Sequence, residues 1–205
     1  MTTRSDESGE REQLESDARR YLSQQLGRRA PTQLRFETLF DERPLENEGA
    51  TALFSFHLEV GSTCGRQRQK HFVAVGQTEP NYFPAFQMDD DDAYSFHVGT
   101  RFMLTMRLGL VDAEMEPPGA REAMHRFVES YAAGLTLESE EVAALLRCDE
   151  ACFAVYRLKL SGAAYYCLGA DCPSGFYPVE QLAPQTVLRL HLGRVIRREA
   201  RQEPT

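Results

Sequence analysis

The sequence predicts an α+β fold: an N-terminal helix on a three-stranded antiparallel meander, followed by a mainly helical half with a further β-hairpin. Three observations carry this. Apolar residues recur at helical spacing between Glu10 and Leu26, they alternate in runs from Leu34 to Val75, and stripes bounded by proline or glycine follow in the C-terminal half.

Leu14, Ala18, Tyr21, Leu22 and Leu26 form the first stripe, and Gly27 suits the position after a helix end. Residues 28–31 break the period. Leu34, Phe36 and Phe40 then alternate with Arg35, Glu37 and Asp41, and Phe54, Phe56, Leu58 and Val60 with Leu53, Ser55, His57 and Glu59. Such alternation marks strands with one wet face. The glycines at 61 and 65 predict a hairpin turn into a third strand over 66–75. Residues 76–93, with Pro80, Pro84 and four aspartates at 89–92, predict a long loop.

Phe102, Leu104, Met106, Leu108 and Leu110 alternate as in a strand, but the preceding aspartates favour a helix N-terminus, so the reading is helix to about Arg107. Pro117 and Pro118 open a helix striped by Ala120, Met124, Phe127, Val128 and Tyr131 and closed by Gly134. A short helix is expected over 138–147, with acids in its first turn. A β-hairpin is expected over 153–168 about Ser161-Gly162. A last helix over 184–201 carries Leu188, Leu192, Val195 and Ile196 on one side. No internal repeat is visible. Without a Gly/Ser-rich linker, residues 8–201 read as a single α+β domain, with subdivision, if any, near 78–92; residues 1–7 and 202–205 read as polar tails.

With 205 residues, 42% hydrophobic and 26% charged, the chain has the means to bury a core. A net charge of −8 argues against nucleic acid as a partner, because binding it requires a basic field. The first residues form no apolar leader, and no stretch reaches the ~20 apolar residues of a membrane helix. The expectation is a cytoplasmic protein with reduced thiols and no membrane contact.

Four cysteines crowd the C-terminal third. Cys148 and Cys152 are separated by three residues, and Cys167 and Cys172 by four, whereas paired zinc ligands are usually two apart. A two-residue turn at Ser161-Gly162 pairs Leu160 with Ala163, Tyr156 with Cys167 and Cys152 with Asp171. Cys167 then lies roughly 13 Å from the open end, at ~3.3 Å per residue. A four-thiol site fails in that register. A site of Cys148, Cys152 and Cys172, or a Cys152–Cys172 disulfide, survives beside the plainer reading of unligated thiols packed as small hydrophobes. Cys64, in the first hairpin turn, is expected to be exposed.

His57 and Glu59 share a strand face, and His71 is expected on the same face of the partner strand. Two imidazoles and a carboxylate suit zinc or iron, or acid–base work; the plainer reading is a solvated sheet face. The aspartate run fails the calcium-loop template, with Tyr94 where glycine is needed and Thr100 where glutamate is needed. Arg194, Arg197, Arg198 and Arg201 share one helix face. They suit an acidic partner, nucleic acid (which the lack of interleaved aromatics disfavours), the aspartates of the same chain, or the helix dipole alone. Tyr82, Phe83 and Phe86 suit an aromatic-lined pocket for an apolar ligand, or simply the anchoring of a loop. There is no phosphate loop, nucleophile elbow, dinucleotide fingerprint or His-Glu-x-x-His.

The functional expectation is a non-catalytic cytoplasmic binding or assembly protein, acting on a protein partner or on itself, with no cofactor. The alternatives are a metal-binding module or metal-dependent enzyme, and a small-molecule binder.

Overall fold

The computed structural model describes residues 4–42, 50–62, 65–76, 79–85, 88–108, 110–148, 150–169, 177–178 and 182–202. The fold is α+β, with four helices and two antiparallel sheets among the described residues. It divides into two compact units, Met1–His97 with Ile196–Thr205, and Val98–Val195. Among the described residues no helix is long and apolar enough to cross a membrane.

The first unit opens with α1 (Arg4–Leu26), which starts within the expected tail, and a 3-10 turn (Gly27–Arg29). Gly27 takes φ +55°, a conformation that favours glycine and ends the helix as its position implies. Strands β1 (Arg35–Phe40), β2 (Thr51–Ser62), β3 (Gly65–Val75) and β4 (Asn81–Pro84) form a sheet in chain order. The three-stranded meander is there, and β4 extends it from within the expected loop, pairing Ala74 with Asn81 and Phe72 with Phe83.

Burial follows the alternation. Ala52, Phe54 and Phe56 of β2, with Val73 and Val75 of β3, meet Ala18, Leu22 and Leu26 of α1. On the other face Phe83 packs on Phe72 and on Phe96, a residue of helix α2 (Asp90–Thr105). Phe40 stacks on Tyr94 at 4.1 Å. The Asp89 carboxylate accepts the N–H of Asp92 at 2.8 Å, so an aspartate caps α2 and helix prevails over the alternation there.

The second unit holds the end of α2, β5 (Leu110–Asp112), α3 (Ala120–Tyr131), β6 (Leu137–Cys148), β7 (Ala151–Leu160), β8 (Ala163–Gly169), β9 (Tyr177–Pro178) and α4 (Pro184–Gln202) as far as Val195. Its five described strands also lie in chain order. This half is not mainly helical: residues 138–147 form a strand rather than the expected short helix. Glutamate, alanine and leucine favour helix locally, but pairing with β7 from Leu137↔Leu160 to Cys148↔Ala151 overrides that preference. The expected register of the next hairpin holds, with Leu160↔Ala163 and Tyr156↔Cys167. Ser161 and Gly162 both take positive φ (45° and 89°), the signature of a type I′ turn. Met124 and Val128 of α3 cover Tyr156, Leu158 and Cys167, while Leu188 and Leu192 of α4 pack with Leu146, Val155 and Leu168.

Along the chain, α1 precedes β1 to β4 and α2 follows them, while α3 precedes β6 to β9 and α4 follows them; α2 and α4 each cross the boundary between the units. The residues themselves show no repeat.

Candidate binding groove of the first unit

Unequal strand lengths leave a concavity beside β2. β1 covers β2 only over Thr51 to Ser55. Before Arg35 the chain leaves the sheet: Leu34 packs into the α1-side core, and Arg19 donates to the Thr32 carbonyl at 3.0 Å. Residues 56–62 of β2 therefore pair with β3 on one side and, among the described residues, with no strand on the other. Between this edge and residues 28–34 lies a groove of about 1010 Å³, walled by every residue from Ser55 to Gly61. Successive side chains of a strand point to opposite faces, so a wall of consecutive residues is the strand edge itself.

The groove is basic. Arg19, Arg28, Arg29, Arg35, Arg68 and Lys70 line it, against Glu59 as the lone carboxylate among the described lining residues. Arg19 pairs with Glu15 at 2.6 Å, and Arg35 and Lys70 share Glu37 at 3.5 and 3.3 Å. Burial pushes the Glu37 carboxyl up, but the hydrogen bond from Ser55 and the charges of Lys70 and Arg35 outweigh it and hold the group below its ordinary value. Arg28, Arg29 and Arg68 have no carboxylate partner among the described residues.

His57 and Glu59 also line this groove, but His71 does not join them. Ser62 pairs with Gly65, and in that register His71 pairs with Phe56 and His57 with Lys70. A one-residue change of register moves a side chain to the other face, and His71 is accordingly buried at 5% exposure on the α1 side, stacked on Phe56. Burial, with a smaller contribution from His57, holds its pKa below the ordinary value despite the contact of Nδ1 with the Gln69 carbonyl at 3.2 Å.

The other expected sites separate in the same way. Cys148 pairs with Ala151 and is buried, while Cys152 pairs with Arg147 and is exposed, so their side chains leave opposite faces of the hairpin. Cys167 is buried as well. Cys172 and Cys64 lie outside the described residues. Among those described, no group of three or more His, Cys, Asp or Glu is disposed to hold a metal. Tyr82 faces Tyr21 and Phe56 on the α1 side, and Phe83 packs with Phe72 and Phe96 on the other, so together they anchor β4 rather than line one pocket. Phe86 lies outside the described residues.

The arginine face of α4 turns largely inward. Arg197, 3% exposed, donates to both Glu42 oxygens at 2.7 and 2.9 Å, to the Asp91 carboxylate and carbonyl at 2.8 Å each, and to Ser95 at 2.7 Å. It also lies 4.7 Å from the Tyr94 ring centroid. Arg201 bonds Glu42, and Arg194 donates to the Tyr177 hydroxyl at 2.6 Å; Arg198 is exposed. One aspartate of the acidic run is thus the partner Arg197 finds.

In the second unit Arg121 bridges Glu116 at 2.9 Å and Glu140, His125 meets Glu140 at 2.6 Å, and the Tyr156 hydroxyl donates to Glu116. Burial and the Glu116 carboxylate raise the Tyr156 pKa far above its ordinary value, so its hydroxyl is a fixed donor tying the sheet to the segment before α3.

No family model matches this chain, and comparison with curated proteins and with solved structures gives no match. The groove escaped sequence reasoning because its cations come from α1, the 3-10 turn, β1 and β3.

Proposed function

We propose that this protein is a non-catalytic cytoplasmic binding protein whose basic groove takes an acidic segment of a protein partner. One observation carries the reading: six cations converge on one groove of a chain whose net charge is −8. Such a local reversal of sign steers an acidic partner to one place and sets its orientation. The polar networks elsewhere support it, because Arg197, Arg121 and Tyr156 are spent on internal bonds.

The test is fluorescence anisotropy with a fluorescein-labelled (Glu-Val)4 peptide. The peptide binds, and added salt weakens it over the range in which the Debye length shrinks below about 10 Å. The combined charge reversal Arg28→Glu, Arg29→Glu, Arg68→Glu, at exposed positions, lowers affinity by about tenfold or more. Equal binding by the triple variant, or no binding by the native chain, overturns the proposal.

A further inference from the structure

We infer that the acidic segment binds by strand addition, pairing its backbone with the free edge of β2 over residues 56–62; this rests on the function proposed above. That edge spans seven residues, roughly 20 Å at ~3.3 Å per residue, the length of an ordinary strand. Alternate residues along it direct N–H and C=O groups into the groove, and among the described residues no other backbone meets them. The groove volume of about 1010 Å³ matches the top of the ~300–1,000 Å³ range of ligand clefts.

A second open edge in the same molecule shows the contrast. β5 covers β6 only over Leu146 to Cys148; among the described residues, 137–145 is open on that side apart from one bond from the Ala113 N–H to the Leu145 carbonyl. Proteins protect such edges with bulges and charge. β6 has both: register breaks at Leu137/Ser139 and at Val142/Ala144, and Glu138, Glu140 and Glu141 paired to Lys159, Arg121 and Arg157. β2 pairs with β3 in unbroken register from Ala52 to Ser62. Its flanks are cationic on both sides, with Arg28 and Arg29 across the groove and Lys70 and Arg68 on β3 opposite His57 and Glu59. An edge that is regular, open and bordered by positive charge fits an extended acidic peptide, held by main-chain hydrogen bonds and selected by its side chains.

Two versions of the (Glu-Val)4 peptide, N-methylated at all the glutamates or at all the valines, keep the charge and remove N–H donors from one edge each. Against the full chain, one version loses about tenfold or more in affinity, the loss of one or two backbone hydrogen bonds, and the other retains it. The unmodified peptide slows amide hydrogen exchange at alternate residues of 56–62. Equal binding of both methylated peptides, without new protection in 56–62, rejects strand addition and leaves the groove as an electrostatic site. If no acidic peptide binds, both readings fail. If duplex DNA binds instead, and the triple charge reversal abolishes it, both fail in favour of a nucleic-acid site.

Discussion

Arg197 illustrates how a single side chain organises its surroundings. Its planar fork satisfies two carboxylates, a carbonyl and a hydroxyl in one place. Arg197→Ala leaves Glu42 without that partner and should cost roughly 2–3 kcal/mol in urea unfolding, less than the ~3–5 of a fully buried pair because Asp91 is largely exposed. Arg197→Lys should recover little, since a point charge cannot replace a bidentate fork. His71 gives a pH dependence. Its folded pKa lies below 6.5, so as pH falls through 6.5 the unfolded chain takes up a proton that the folded chain refuses, and stability drops. The urea midpoint should fall between about pH 7.5 and about pH 5.5, and His71→Phe should flatten that fall. Glu37 and Glu42, both held below 4.5, contribute stability above that value and lose it only at more acid pH. Asp90, raised above 3.8 by burial and by Glu37, works against them in that acid range.

At the scale of elements, close approaches decide where glycine is required. A Cβ on Gly169 of β8 would lie 2.5 Å from the Tyr156 ring and 2.6 Å from the Ala120 carbonyl, and one on Gly99 of α2 would lie 1.9 Å from the Arg189 carbonyl of α4. Gly169→Ala should destabilise by about 1–3 kcal/mol, because backbone must shift. Gly99→Ala should cost at least as much, and thermal unfolding of the two variants measures both. The same scale shows what was legible. The stripe of Leu14, Ala18, Leu22 and Leu26 was enough to place α1, and Ser161-Gly162 to place a hairpin and its register. β6 was not legible, because Glu140, Glu141, Ala144 and Leu145 suit a helix until β7 pairs with them. β4 and β5 are too short to show a period. The face of His71 turned on one residue of register, which no alternation within a strand reveals.

At the scale of the whole molecule, the chain does not finish one unit before beginning the next. Ile196–Thr205 belongs to the same unit as Met1–His97. Truncation after Val195 removes Arg197 and Arg201, and should therefore loosen the first unit, seen as faster amide exchange in β1 and in the first turns of α2 while β7 and β8 stay protected. The α+β class, the outer helices and the hairpin at Ser161-Gly162 are written in the order of residues, because periodicity and turn chemistry act within about ten neighbours. The strand at 137–148, the meeting of Arg197 with Glu42 and Asp91, and the convergence of six cations on an open edge exist only once distant segments pair. Which segments pair, and in what register, depends on burial summed over both partners, and neither partner's own sequence carries that sum.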